Sequence, residues 1–160
     1  MSDDRVLRQH LVKLLSSKEA HVNFETVIGG LPAQLRGTKV RRLPFTAWRL
    51  LDHMRIAQWD ILEFCRDPKH ISPKFPESYW PASDAPSSAA AWNAGVKSFR
   101  RDLAEMQVLV ENPATNLLAP IPHGTGQTIL REALLVADHN AYHLGQIVLL
   151  RRLLGAWESK

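Results

Sequence analysis

Residues 126–154 read GQTILREALLVADHNAYHLGQIVLLRRLL, and the fold turns on this stretch. It contains no proline, and its apolar residues recur at helical spacing on two faces. Gly155 is a natural terminator, because glycine adopts the left-handed conformation that ends a helix without a side-chain penalty. The most apolar part, 133–150, also carries Asp138, His139, Asn140, His143 and Gln146. Such side chains are costly in hydrocarbon, so the stretch predicts a packed helix and not a membrane span.

Prolines set the limits of the other elements. Pro113, Pro120 and Pro122 mark the connection that precedes 126–154. Pro68, Pro73, Pro76, Pro81 and Pro86 fill a second connection, and Pro32 and Pro44 bracket a third. Proline removes a backbone donor and restrains the residue before it, so these are loops. Three further helical segments remain, at 3–30, 46–66 and 88–111. The first has Val6, Leu7, Leu11, Leu14 and Leu15 on a broad apolar face, with the weak helix formers Ser16-Ser17 as a site for a kink. In the second, Thr46 is the expected N-cap and Pro68 the stop. In the third, Trp92, Val96, Phe99, Leu103, Met106 and Val110 fall within about 40° of one direction at 100° per residue. No sustained alternation or hairpin signal appears. The expected fold is all-α, a four-helix bundle forming one domain over 1–160. The connection 67–87 is long, and the aromatic pair in Tyr79-Trp80-Pro81 is expected to pin it to the bundle end.

Composition narrows the function. The chain has 160 residues, 45% of them hydrophobic and 22% charged, which suits a folded domain and excludes disorder. A single cysteine, Cys65, rules out a disulfide within the chain. It reads as a small buried apolar residue, not a nucleophile. The net charge is +4, but the basic residues come in short groups separated by acidic ones, with no nucleic-acid motif. Neither nucleic acid nor membrane is an expected partner. The start, Met1-Ser2-Asp3-Asp4, is acidic where a signal peptide is basic, so the expected location is cytoplasmic.

Chemistry concentrates in Asp138-His139-Asn140-Ala141-Tyr142-His143-Leu144-Gly145-Gln146. His139 and His143 are one helical turn apart on one face, a spacing that lets both imidazoles meet one divalent cation. Their stripe contains Glu132, Leu135, Val136, Gln146, Ile147 and Leu150. Tyr142 and Asp138 lie about 80–120° away and are not expected ligands. A third ligand must come from another helix. His53 is the candidate, on a mostly apolar stripe with Arg49, Leu50, Ile56, Ala57, Asp60 and Phe64. Buried imidazoles with separate hydrogen-bond partners satisfy the same pattern, and spacing alone does not bring His53 to the pair.

These residues resemble the DinB-like (YfiT-type) superfamily of bacterial metalloproteins. The resemblance rests on 138–146 and on His53 within Leu50-Leu51-Asp52-His53-Met54-Arg55-Ile56-Ala57-Gln58-Trp59-Asp60-Ile61-Leu62. It extends to Tyr79-Trp80-Pro81, Ile121-Pro122-His123-Gly124 and Gly126-Gln127-Thr128, covering nearly the whole chain. It implies a four-helix bundle with one divalent metal on His53, His139 and His143. Zinc or nickel is the expected metal, with manganese or iron as alternatives. A bound cation lowers the pKa of a coordinated thiol or water, for transfer to an electrophile or for hydrolysis. The implied activity is thiol S-transfer to a small-molecule substrate, with a low-molecular-weight thiol as partner. The alternatives are a non-catalytic metal- or ligand-binding protein with a stress role, and a metal-dependent hydrolase. Arg49, Asp60, Glu132, Gln146 and His123 are candidates to orient a ligand or contact substrate. Finally, Leu130, Leu134, Ala137, Ala141, Leu144 and Val148 form a second apolar face on the last helix, which predicts a homodimer.

Overall fold

A computed structural model describes residues 4–16 and 19–157. The expected helix start at Asp3, and Ser17 of the expected kink, lie outside the described residues. Among those residues the chain is all-helical, with α1 (Arg5–Ser16), α2 (Phe24–Ile28), α3 (Ala47–Arg66), α4 (Ala89–Glu111) and α5 (Ile129–Leu153). No helix among them is long and apolar enough to cross a membrane.

Local chemistry explains the boundaries. The segment 3–30 is not one helix but two. Asn23 adopts an extended conformation and its side-chain oxygen accepts from the Thr26 backbone N–H, which starts α2 afresh. Thr46 caps α3 by accepting from the Arg49 N–H at 3.2 Å, and Ser88 caps α4 by accepting from the Ala91 N–H at 3.1 Å. α5 begins three residues later than its periodicity suggests, because Thr128 caps it by accepting from the Arg131 N–H. Gly155 closes it at φ 65°, as the sequence predicts.

Two apolar clusters show how the helices run. One joins Leu50, Leu51 and Met54 of α3, Trp92, Val96 and Phe99 of α4, and Leu144, Ile147 and Leu150 of α5, with α2 against them. The other joins Leu62 and Cys65 of α3, Met106 and Val110 of α4, and Ile129, Ala133 and Val136 of α5, with Leu11 and Leu15 of α1. Early α3 therefore meets early α4 and late α5, so α3 and α4 run parallel and α5 runs against both. Between the clusters lies a buried polar tie. The Gln58 amide donates to the Phe99 carbonyl at 2.8 Å and accepts from the Asn140 amide at 2.8 Å, linking α3, α4 and α5.

The parallel pair accounts for the long loop. α3 has 20 residues and spans about 30 Å, so the chain must travel back that distance before α4 can start at the same end. The loop makes that return along α3 itself, not at an end of the molecule as the aromatic pair suggested. His70 Nε2 meets Asp60 at 2.7 Å, the Tyr79 hydroxyl donates to the same carboxylate, and the Asp84 carbonyl accepts from the Thr46 hydroxyl at 2.6 Å. Gly37 gives the 84–85 backbone room, since a Cβ there would collide with Ala85.

Two basic residues, Arg8 and Arg151, are buried. Arg8 donates to the carbonyls of Val110, Asn112 and Thr115 at 2.6–2.9 Å, which closes the end of α4. Arg151 donates to the carbonyls of Val27 and Gly29 at 2.6 and 2.8 Å, and so seats α2 on α5. Each satisfies backbone oxygens that the helices leave without partners, one of them buried in each case. Arg8→Ala is therefore expected to cost about 2–4 kcal/mol in urea unfolding. The exposed Arg100, paired with Glu25, should cost under about 1 kcal/mol when changed to alanine. Equal losses would contradict this assignment.

Candidate metal centre

α3 and α5 run in opposite directions and cross near their middles, where His53 faces His139 and His143. The three side chains each offer one ring nitrogen, and these nitrogens all lie within 4.8 Å of one another. His139 Nε2 is 3.1 Å from His53 Nε2. Two nitrogens sharing one cation at about 2.0–2.1 Å each lie roughly 3–4 Å apart, so this pair already has the right spacing.

The far sides of two rings are fixed. His53 Nδ1 donates to the Tyr79 carbonyl at 2.8 Å, and His143 Nδ1 donates to the Gln146 side-chain oxygen at 2.7 Å. An Nδ1–H on each ring leaves Nε2 unprotonated, with its lone pair directed to the shared centre. Such an outer partner is what orients metal-binding histidines. Trp80 lies flat on His53, with centroids 3.8 Å apart and planes 2° from parallel, and shields the ring from water.

Burial keeps the rings neutral. It is the main reason that all three titrate below the ordinary imidazole range. His139 falls to about 4, with His143 and His53 adding to the effect. Neutral imidazoles are the form that binds metal.

The other sequence candidates separate clearly. Gln146 reaches the cluster through His143, and Arg49 lines the cavity beside it. Asp60 acts at one remove: it holds Tyr79, whose carbonyl holds His53. Glu132 does not join the cluster. It is buried against Arg131 at 2.7 Å, seven residues and about 10 Å along α5 from His139. His123 does not line the cavity either. Its ring meets the Phe64 carbonyl at 2.7 Å, eleven residues from His53 on the same helix. Cys65 is buried as expected, and its thiol is pushed up to about 12, mainly by that burial and further by Glu132.

Sequence reasoning missed three contributors. The Tyr79 carbonyl has no sequence signature, since every residue has one. Trp80 was read as a loop anchor only. His70, given no role, turns out to fasten the loop through Asp60.

Compared with known proteins, the chain matches no family model, no curated protein and no solved structure.

The neutral rings make stability depend on pH in a definite direction. Their folded pKa values lie below the unfolded value, so the unfolded chain binds protons more readily as pH falls. Chelator-treated protein should hold its stability above about pH 6.5 and lose it progressively towards about pH 4, at roughly 2–4 °C of Tm per kcal/mol. His139→Gln should flatten that dependence. A slope unchanged in the variant would refute the assignment.

Proposed function

We propose that His53, His139 and His143 hold one divalent metal ion, zinc or nickel first, in a four-helix bundle of the DinB-like kind. The convergence of three neutral imidazoles from two antiparallel helices carries this reading. The donor set fits: nitrogen ligands of borderline softness suit zinc, nickel and iron, and three protein ligands leave room for a fourth from solution. Protonation is a poor substitute for a cation here, because burial opposes it at each ring.

The activity we infer is transfer of a low-molecular-weight thiol to a small electrophile. A cation at this position supplies Lewis-acid stabilisation of negative charge on a bound thiol. The chain's own residues do the rest. Tyr79 and Gln146 hold the rings in the binding tautomer, and Trp80 keeps water from His53. Cys65 sits in the other apolar cluster as a protonated thiol, so the attacking group comes from solution and not from the protein. Pro44, Phe45 and Trp80 form apolar walls next to His143, which suit an organic substrate.

We also propose a homodimer contact on α5, on a face that shares Leu134 with the one its periodicity suggests but is turned away from it. Ala137 and Leu144 of that face are covered within the chain, whereas Leu134, Tyr142, Leu149 and Leu153 are exposed on one side. Leu149→Glu should shift the sedimentation of a dimer to that of a monomer.

Elemental analysis tests the centre directly. Purified protein should take up about one equivalent of zinc or nickel, and His139→Ala should abolish uptake. Failure of the wild-type protein to bind either metal would end the proposal. Turnover that needs both metal and added thiol supports transfer. Turnover in water alone makes the protein a hydrolase, and binding without turnover makes it a non-catalytic module.

A further inference from the structure

We propose that the cavity beside the histidines binds a small organic anion, with the Arg49 guanidinium holding its negatively charged group. This names the substrate class for the centre described above, and rests on that reading for what the anion is brought to.

The cavity has a volume of about 310 Å³ and reaches His143. That is the size of a compact metabolite. Its apolar side is Pro44, Phe45 and Trp80, and its polar groups come from Arg49, Gln146 and Tyr142. Among the described residues no carboxylate lines it. The Gln146 oxygen is committed to His143, which leaves its amide nitrogen as the remaining polar group. The wall therefore presents hydrogen-bond donors and no fixed acid.

Arg49 is the decisive residue. A guanidinium has five N–H donors, yet here one makes a long 3.4 Å contact with Asp84, and Nε is buried with no hydrogen-bond partner among the described residues. Asp84 does not neutralise it, because Lys39 holds the other oxygen of that carboxylate at 2.6 Å. Two cations share one anion, so the Arg49 guanidinium keeps donors that its contact with Asp84 does not use. The guanidinium also lies over the Trp80 ring at 5.8 Å, and Trp80 stacks on His53. Arg49, Trp80 and His53 thus form a layered row, which fixes the charge one helical turn from the centre. A ligand with a carboxylate or phosphate at Arg49 and a flat or apolar body on Phe45 and Trp80 meets every one of these groups. Neutral ligands leave the guanidinium unpaired.

Benzoate and its neutral isostere benzamide serve as probes, titrated calorimetrically into chelator-treated protein and into zinc-loaded protein. Benzoate should bind the chelator-treated protein roughly tenfold more tightly than benzamide, as expected of one partly solvated charge-assisted contact. Arg49→Gln should reduce that preference to about twofold or less, and Arg49→Lys should keep part of it, because the charge remains while the fork geometry is lost. If Arg49→Gln does not fold, the wild-type preference and its several-fold fall in Arg49→Lys decide the matter. Equal binding of the two probes, no binding of benzoate, or a preference undiminished in Arg49→Gln and Arg49→Lys would overturn the proposal. Because the preference is read without metal, failure to take up zinc leaves it standing. Conversely, loss of the preference with zinc uptake intact refutes the anion site alone.

Discussion

Three imidazoles gathered in a half-buried space impose a constraint that the rest of the molecule answers. Each ring has two nitrogens, and neutral imidazole makes one a donor and the other an acceptor. With the donors of His53 and His143 turned outward to Tyr79 and Gln146, acceptor lone pairs face the middle. Lone pairs facing one another in a low-dielectric setting repel, and a positive charge between them relieves the repulsion. A proton shared by His53 and His139 relieves one pair but leaves the third nitrogen unserved, and burial works against adding a second proton. A divalent cation serves all three at once. The same burial that depresses the pKa values thus prepares the rings to ligate.

Orientation of the rings depends on a loop, and the loop depends on helix direction. Because α3 and α4 are parallel, the connection has to retrace the length of α3. An antiparallel pair joined by a short turn would leave His53 with no Tyr79 carbonyl and no Trp80. Asp60 couples the two levels. It accepts from His70 near the start of the return and from Tyr79 further on, and so sets where the next residue, Trp80, lies on His53. The fold supplies the site through this path as much as through the helices that carry the ligands.

Much of this was legible in the residues. Proline positions, the period of α4 and Thr46 as a cap follow from local chemistry, and local chemistry decided those elements. The pairing of His139 with His143 is a matter of helical pitch. His53 was readable as an inward-facing residue but not as their neighbour, because contact between α3 and α5 is a tertiary fact. Asn23 was a readable cap, and its helix-starting role was overlooked inside a long apolar pattern. The burial of Arg8 and Arg151 was not legible, for a different reason. A basic side chain looks the same in sequence whether it faces water or closes a helix end, and only the position of the carbonyls tells the two apart. Glu132 failed as a site candidate through distance along the helix, since a shared stripe says nothing about height on it, and His123 failed because its loop packs at Phe64, eleven residues from His53.

The two apolar clusters divide labour along the helices, and this bears on where reactivity comes from. The cluster with Leu62, Cys65, Met106 and Val110 is closed by Arg8 and contains the chain's one thiol. That thiol is twelve residues, or about 18 Å, along α3 from His53 and is held protonated by burial. A nucleophile so placed does not reach the centre without breaking the core. The histidine end, in contrast, has an open cavity, a donor-rich wall and a guanidinium with unused donors, but no nucleophile of its own. On the thiol-transfer reading proposed above, both reacting partners would enter from solution, and the protein's part would be to bring them together beside rings that are oriented in advance.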